Sequence, residues 1–371
     1  MSYIELCRYV SLSRSHMLFY VCPYILTFYW NMGFLLLSII FVQIVSGILL
    51  ALQYTSNIIH SYYSVIHLWR EVYYGWCLHY MHSNGVSSLF SVMYFHIGRG
   101  LYINCYLHNT NLWLSGVFLF MFFMMTGFIG YVITWGQMSF WGGTVITNIL
   151  SIIPCSIAWM CGGFYVSNPT LKRFFIYHLI LSILCNGIVI IHLYYLHYIS
   201  NTNPLGYNIN NFITFYPYIL YKDIYSLFLI GIGYTLHIFW SLFIIWCSYN
   251  SLEVEGLLTP LHIVPEWYFL HLYMVLKAIP NKTSGLTLFI LCSLVLCILV
   301  EVSNISSIIR LSSYNWIYGN LLKSYFVCLT ISTLFIGAQL PQVIYLSNGR
   351  ALNVLMICII CSSLWFPYQH Y

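Results

Sequence analysis

Between Arg14 and Arg70, and again between Arg99 and Lys172, this chain contains no Asp, Glu, Lys or Arg. A soluble domain carries about 25% charged residues; here the figure is 5%, against 61% hydrophobic. Runs of this kind belong where water is absent, and there every backbone N–H and C=O must be satisfied within its own segment. An α-helix does this and crosses a bilayer in about 20 apolar residues. The sequence therefore predicts an all-α, multi-pass membrane protein with eight transmembrane helices. They fall at about Asn31–Gln53, Tyr74–Asn104, Leu112–Ile133, Thr170–Tyr198, Ile224–Trp246, Gly285–Val302, Leu321–Leu340 and Leu352–Phe366. Residues 1–30 read as an amphipathic segment on the membrane surface, residues 57–70 as a weaker one, and Thr134–Pro154 as short helices near one interface.

Within the second span, His82 and His96 are fourteen residues apart, and within the fourth so are His178 and His192. On an α-helix that interval is within about 40° of four full turns and about 21 Å of rise. Both histidines of each helix therefore look out from one face at two depths. An isolated intramembrane histidine is more often a satisfied interior residue or a proton-relay member. Two helices with the same interval could instead supply two imidazoles at each of two levels, as two stacked bis-histidine haems require.

Glycines repeat the number. Gly33 and Gly47 lie fourteen apart in the first span, Gly116 and Gly130 in the third. Small residues let backbones approach closely, so they would leave room for flat macrocycles or would simply favour helix packing. Parity of the spans pairs His82 with His178 and His96 with His192, with Gly47 and Gly130 on the His82 side.

The net charge of +5 is the difference between 12 scattered basic and 7 acidic residues, without a basic run that would suggest a nucleic-acid partner. Lys and Arg divide six and six between the two faces, so charge does not fix the orientation. The 13 cysteines are scattered, mostly in apolar runs where they act as small hydrophobes. No CxxCH is present, so covalently attached haem is not expected.

Several motifs together resemble the cytochrome b family of respiratory ubiquinol:cytochrome c oxidoreductase, complex III. They are YGWxxxYMHxNG (Tyr74–Gly85), HIGRGLY (His96–Tyr102), GYVITWGQMSFWG (Gly130–Gly142), TVITN (Thr144–Asn148), RFFxxH (Arg173–His178), PEWYFL (Pro265–Leu270) and IPNK (Ile279–Lys282). With equal histidine intervals and both halves on one chain, the resemblance is to the mitochondrial type, a multi-pass protein of the inner membrane. It implies a haem-binding four-helix bundle at 1–201 and a quinone-site and four-helix half at 202–371. It also implies two non-covalent b-type haems on His82, His178, His96 and His192, with Gly33, Gly47, Gly116 and Gly130 facing them and Arg99 meeting a propionate.

The activity implied is ubiquinol oxidation at the His82/His178 side, one electron going to a Rieske iron-sulfur protein. The other passes through the two b haems to quinone at the opposite face, contributing to proton translocation. The oxidation site resembles one built from Pro265, Glu266, Trp267 and Tyr268, lined by Tyr131, Gly142 and Tyr273, with Glu266 taking a quinol proton. The reduction site would use His197 and Asp223, with Lys222 and Asn31 nearby and Asn201 where the family usually has serine. Implied partners are the Rieske protein, a membrane-anchored c-type cytochrome, accessory subunits, the lipid bilayer with cardiolipin, and a second copy in a homodimeric complex. The chain departs from the family at His79, usually arginine, and at Thr134, usually proline. A proton-relaying transporter and a di-haem membrane anchor of another quinone-linked dehydrogenase are the alternative classes.

Overall fold

The structure, a computed structural model, describes residues 11, 14–199, 201–204, 210–240, 248–306 and 315–365. Most of the surface-lying segment before Arg14, residues 205–209 of the polar connection, the end of the fifth expected span and Phe366 lie outside them. Among the described residues the long helices are α1 (Met32–Ala51), α3 (Gly75–Tyr102), α5 (Thr110–Ile133), α8 (Asn168–Ile199), α9 (Leu220–Trp240), α11 (Lys282–Ser306), α12 (Asn315–Ala338) and α13 (Val343–Trp365). Shorter ones lie between them: α2 (Ser61–Arg70), α4 (Cys105–His108), α6 (Gln137–Ile149), α7 (Ser156–Cys161) and α10 (Leu270–Ala278).

Among the described residues, four helices are long and apolar enough to cross a membrane, at Met32–Ala51, Thr110–Ile133, Asn168–Tyr198 and Phe215–Phe239. The helix carrying His82 and His96 is longer than any hydrocarbon core requires, but its Ser, Asn, His and Arg residues dilute its apolar character. Side-chain hydroxyls along these helices donate back to their own backbone, Ser38 to Phe34 O and Ser46 to Val42 O, which satisfies them away from water.

The chain divides into two compact units. The first comprises residues 1–48, 77–116 and 188–243. It contains a feature that helical periodicity did not predict: β1 (Val21–Pro23) pairs antiparallel with β2 (Phe212–Thr214), Cys22 opposite Ile213. The strands use β-prone Val, Phe, Ile and Thr, but the partners are almost 200 residues apart, so local pattern could not reveal them. Cys22, Leu26 and Ile219 are buried there under Tyr20, Trp30, Ile213 and Phe215.

The second unit comprises residues 49–76, 117–187 and 244–371. Here α10 packs against α12 and α13, with Met274, Val275, Ala278 and Ile336 buried together. Gly337 permits this contact, since a Cβ on it would lie 2.2 Å from the Leu270 carbonyl oxygen. Lys277 then caps the end of α12, its ammonium donating to the carbonyls of Ile336, Gly337 and Gln339 at 3.1, 2.9 and 2.6 Å. The start of α6 is held by the loop after residue 248: Gln137 Nε2 donates to Leu258 O, and its Oε1 accepts from Glu255 N. Thr134 earns its place at the end of α5. Its hydroxyl donates to Tyr131 O at 2.9 Å and accepts from Asn250 Nδ2 at 3.4 Å.

Candidate functional site

Each of the four spaced histidines lies against one of the four spaced glycines, presented by a neighbouring helix. A Cβ built on Gly47 would stand 3.0 Å from His82 Cε1, on Gly116 3.0 Å from His192 Cε1, on Gly130 2.6 Å from His178 Cε1, and on Gly33 3.7 Å from His96 Cε1. At Gly47, Gly116 and Gly130 a side chain would crowd the imidazole, whereas at Gly33 the approach is an ordinary van der Waals contact.

Hydrogen bonds fix the tautomer at three of the rings. Ser46 donates its hydroxyl proton to Val42 O at 2.7 Å, so its lone pairs are what face His82 Nδ1 at 3.0 Å. Ser115 is arranged alike, donating to Leu112 O at 2.9 Å and facing His192 Nδ1 at 2.9 Å. His178 Nδ1 lies 3.0 Å from Thr126 O, which can only accept. In each case Nδ1 carries the proton and Nε2 keeps its lone pair, the state a metal ligand needs. Residue-type reasoning missed Ser46, Ser115 and Thr126. The two serines did leave a signal, since each directly precedes one of the spaced glycines.

In the first unit the rings of His96 and His192 lie 6.4 Å apart, centre to centre. Two metal–nitrogen bonds of about 2 Å each, with an imidazole radius at either end, account for a separation of this size. No group of three or more His, Cys, Asp or Glu side chains gathers to hold a metal among the described residues. A donor set of two nitrogens suits an iron whose other ligands come from a macrocycle. Arg99 adds a second sign of fit. Its guanidinium lies over Trp30 at 5.2 Å and donates to His96 Nδ1 at 3.3 Å, so that this Nδ1, unlike those of the other three rings, is an acceptor; Arg99 Nε and Trp30 Nε1 are buried donors with no acceptor among the described residues. A carboxylate of the kind a haem propionate carries would satisfy both.

The same unit gathers the residues expected at a reduction site. Asn31, buried, donates Nδ2 to Lys222 O at 2.9 Å and to Ser226 Oγ. Lys222 Nζ donates to Leu26 O at 3.1 Å, and Asp223 beside it is buried. His197 stacks on Tyr20 at 4.5 Å, and Asn201 donates to Cys22 Sγ at 3.4 Å. Ser226, Tyr20 and Cys22 were not expected from sequence.

In the second unit the segment Pro265–Tyr268 precedes α10. Burial pushes the Glu266 carboxyl up to about 7, which places its proton exchange near neutrality. Tyr273 donates its hydroxyl to Ile263 O at 3.0 Å, holding the loop that leads into Pro265. Trp267 and Tyr268 meet edge to face, Tyr268 being buried, whereas Gly142 has no atom within 4 Å of a built Cβ and leaves open space. Tyr131, on the last turn of α5, is half-buried.

Fold and site together define a class: a helical membrane protein whose half-buried imidazoles face glycines of neighbouring helices, three of them hydrogen-bonded at Nδ1. The family model Cytochrome b/b6/petB matches residues 17–200, and Cytochrome b(C-terminal)/b6/petD matches residues 253–357. Cytochrome b of Plasmodium falciparum is 42% identical over 353 residues, covering 94% of this chain and 93% of that protein. Cytochrome b of Toxoplasma gondii is 40% identical over 352 residues, covering 94% and 95%. A solved structure described as a hyperthermophilic respiratory Complex III superposes with a TM-score of 0.88 at 26% identity, over 98% of this chain and 97% of that one. The chain belongs to the cytochrome b/b6 family, and is with it a b-type haem protein of electron transport.

Proposed function

We propose that this chain is the cytochrome b subunit of a mitochondrial complex III, crossing the inner membrane eight times. Its haem-binding half is residues 1–201 and its second half residues 202–371. One observation carries the reading: four imidazoles, each against its own glycine, three of them hydrogen-bonded at Nδ1. His82 with His178, and His96 with His192, would hold two b-type haems. Bound there, the haems supply one-electron transfer with no open iron position.

Ubiquinol is oxidised beside Pro265, Glu266, Trp267 and Tyr268, with Tyr131, Gly142 and Tyr273 lining the site. Two electrons and two protons leave it. One electron goes to a Rieske iron-sulfur protein and on to a membrane-anchored c-type cytochrome, and the other crosses the membrane. Glu266 takes one proton, because a carboxyl that exchanges near pH 7 can accept from quinol and release to water. At the opposite face His197 and Asp223 deliver protons to the quinone being reduced. Asn31 and Lys222 brace that site through the bonds to Ser226 and Leu26, and Asn201 takes the place of serine. Uptake at one face and release at the other contribute to proton translocation. Accessory subunits, cardiolipin and a second copy of the complex complete the assembly.

The test is a reduced-minus-oxidised spectrum of the purified complex, which should show two b-type haems. His82→Ala and His178→Ala should each remove the same haem; loss of different haems would break the pairing. Quinol added with the terminal acceptor and an inhibitor of quinone reduction should drive reduction of the b haems. Without that response, the chain would be a di-haem anchor of another quinone-linked dehydrogenase.

A further inference from the structure

The carbonyl of Met81, the residue before His82, is approached from two other helices of the first unit. Tyr234 on α9 donates its hydroxyl to it at 2.5 Å, and Gln43 Nε2 on α1 lies 3.5 Å away. A helical carbonyl already accepts the amide four residues on, here that of Gly85, yet it keeps a second lone pair. Gly85 also opens the approach. A Cβ on it would lie 1.7 Å from Gln43 Nε2 and 2.9 Å from Tyr234 Oη. Gln43 shares one face of α1 with Ser46 and Gly47, at the i, i+3 and i+4 positions. Those two residues face His82 itself. One stripe of α1 thus meets one stripe of α3, and Tyr234 ties a third helix to the join.

We propose that Tyr234 is a positioning residue for the His82 ligand. By holding the Met81 carbonyl it fixes the height and rotation of α3, and so the hydrogen bond from His82 Nδ1 to Ser46. Such an outer bond raises the basicity of a ligating imidazole, which favours ferric over ferrous iron. This inference rests on the haem reading above, and its consequence is specific to one haem.

The experiment is redox titration and low-spin EPR of the purified complex carrying Tyr234→Phe, which removes one oxygen and keeps the ring. At a fixed ambient potential the reduced-to-oxidised ratio of the His82 haem should rise about threefold, a shift of about 30 mV at 59 mV per tenfold for one electron. The other haem should not move. Gly85→Ala should shift the same haem in the same direction. Tyr234→Phe added to Ser46→Ala should have no further effect, because both act through one bond. Wild-type potential and EPR signal in Tyr234→Phe, with or without a lower melting temperature, would overturn the proposal. So would a shift of the other haem alone, or full additivity with Ser46→Ala. Absence of b-type bands from the unmutated complex would instead defeat the haem reading itself.

Discussion

The four glycines are not equally tight, and the differences make a graded prediction. At Gly130 a methyl group would stand 2.6 Å from His178 Cε1, at Gly47 and Gly116 3.0 Å from His82 and His192, and at Gly33 3.7 Å from His96, already an ordinary contact. An alanine at 130 would force the His178 ring back by at least about 0.9 Å to reach normal carbon–carbon separation. A metal–nitrogen bond of about 2 Å cannot stretch that far. Overpacking of a filled site costs about 1–3 kcal/mol, which corresponds to a loss of about five- to 150-fold in haem affinity. Gly130→Ala should therefore lose the haem held by His178, Gly47→Ala and Gly116→Ala should show partial occupancy, and Gly33→Ala should remain near wild type. Haem-to-protein ratios from difference spectra of the four purified variants measure the series. If Gly33→Ala lost more haem than Gly130→Ala, the argument from close approach would be refuted.

Ser115→Ala would leave His192 Nδ1–H without its hydroxyl acceptor; loss of such outer partners weakens metal binding by about 10- to 100-fold, measurable as faster haem loss to a scavenger. The Glu266 carboxyl, raised by burial to about 7, should make quinol oxidation rise between pH 6 and 8 as the base form fills. Glu266→Gln should slow the reaction, flatten that rise and leave both haems bound; an unchanged pH profile would remove Glu266 from proton transfer. In stability the sign is opposite: the folded chain holds this proton more tightly than the unfolded chain. The contribution is fully present below the ordinary carboxylate range and is lost as pH rises through about 7. Lys277→Met should strip three carbonyls of their donor and destabilise the protein by at least about 2 kcal/mol. A lower Tm in detergent with an unaltered haem spectrum is expected.

Much of the site could be read from spacing, because a helix converts sequence interval into direction and depth. Fourteen residues between histidines and fourteen between glycines sufficed to predict four rings and four gaps, with Gly47 on the His82 side and Gly116 on the His96 side. Glu266 was marked differently, by the family resemblance that PEWYFL carries and not by spacing. What spacing does not encode is which atoms of different helices meet. That Ser46 and Ser115 spend their hydroxyl protons on their own helix, and so accept from His82 and His192, depends on side-chain rotation and helix packing. The pairing of Cys22 with Ile213 and the reach of Tyr234 to Met81 likewise join segments more than 150 residues apart. The sequence by itself determined the membrane solvent, the helices and the face each histidine presents, since these follow from local polarity and a fixed helical repeat. Only tertiary structure decided the tautomers, the desolvation that raises Glu266 and the tie at Met81, because each depends on distances across the packed interior that no single helix contains.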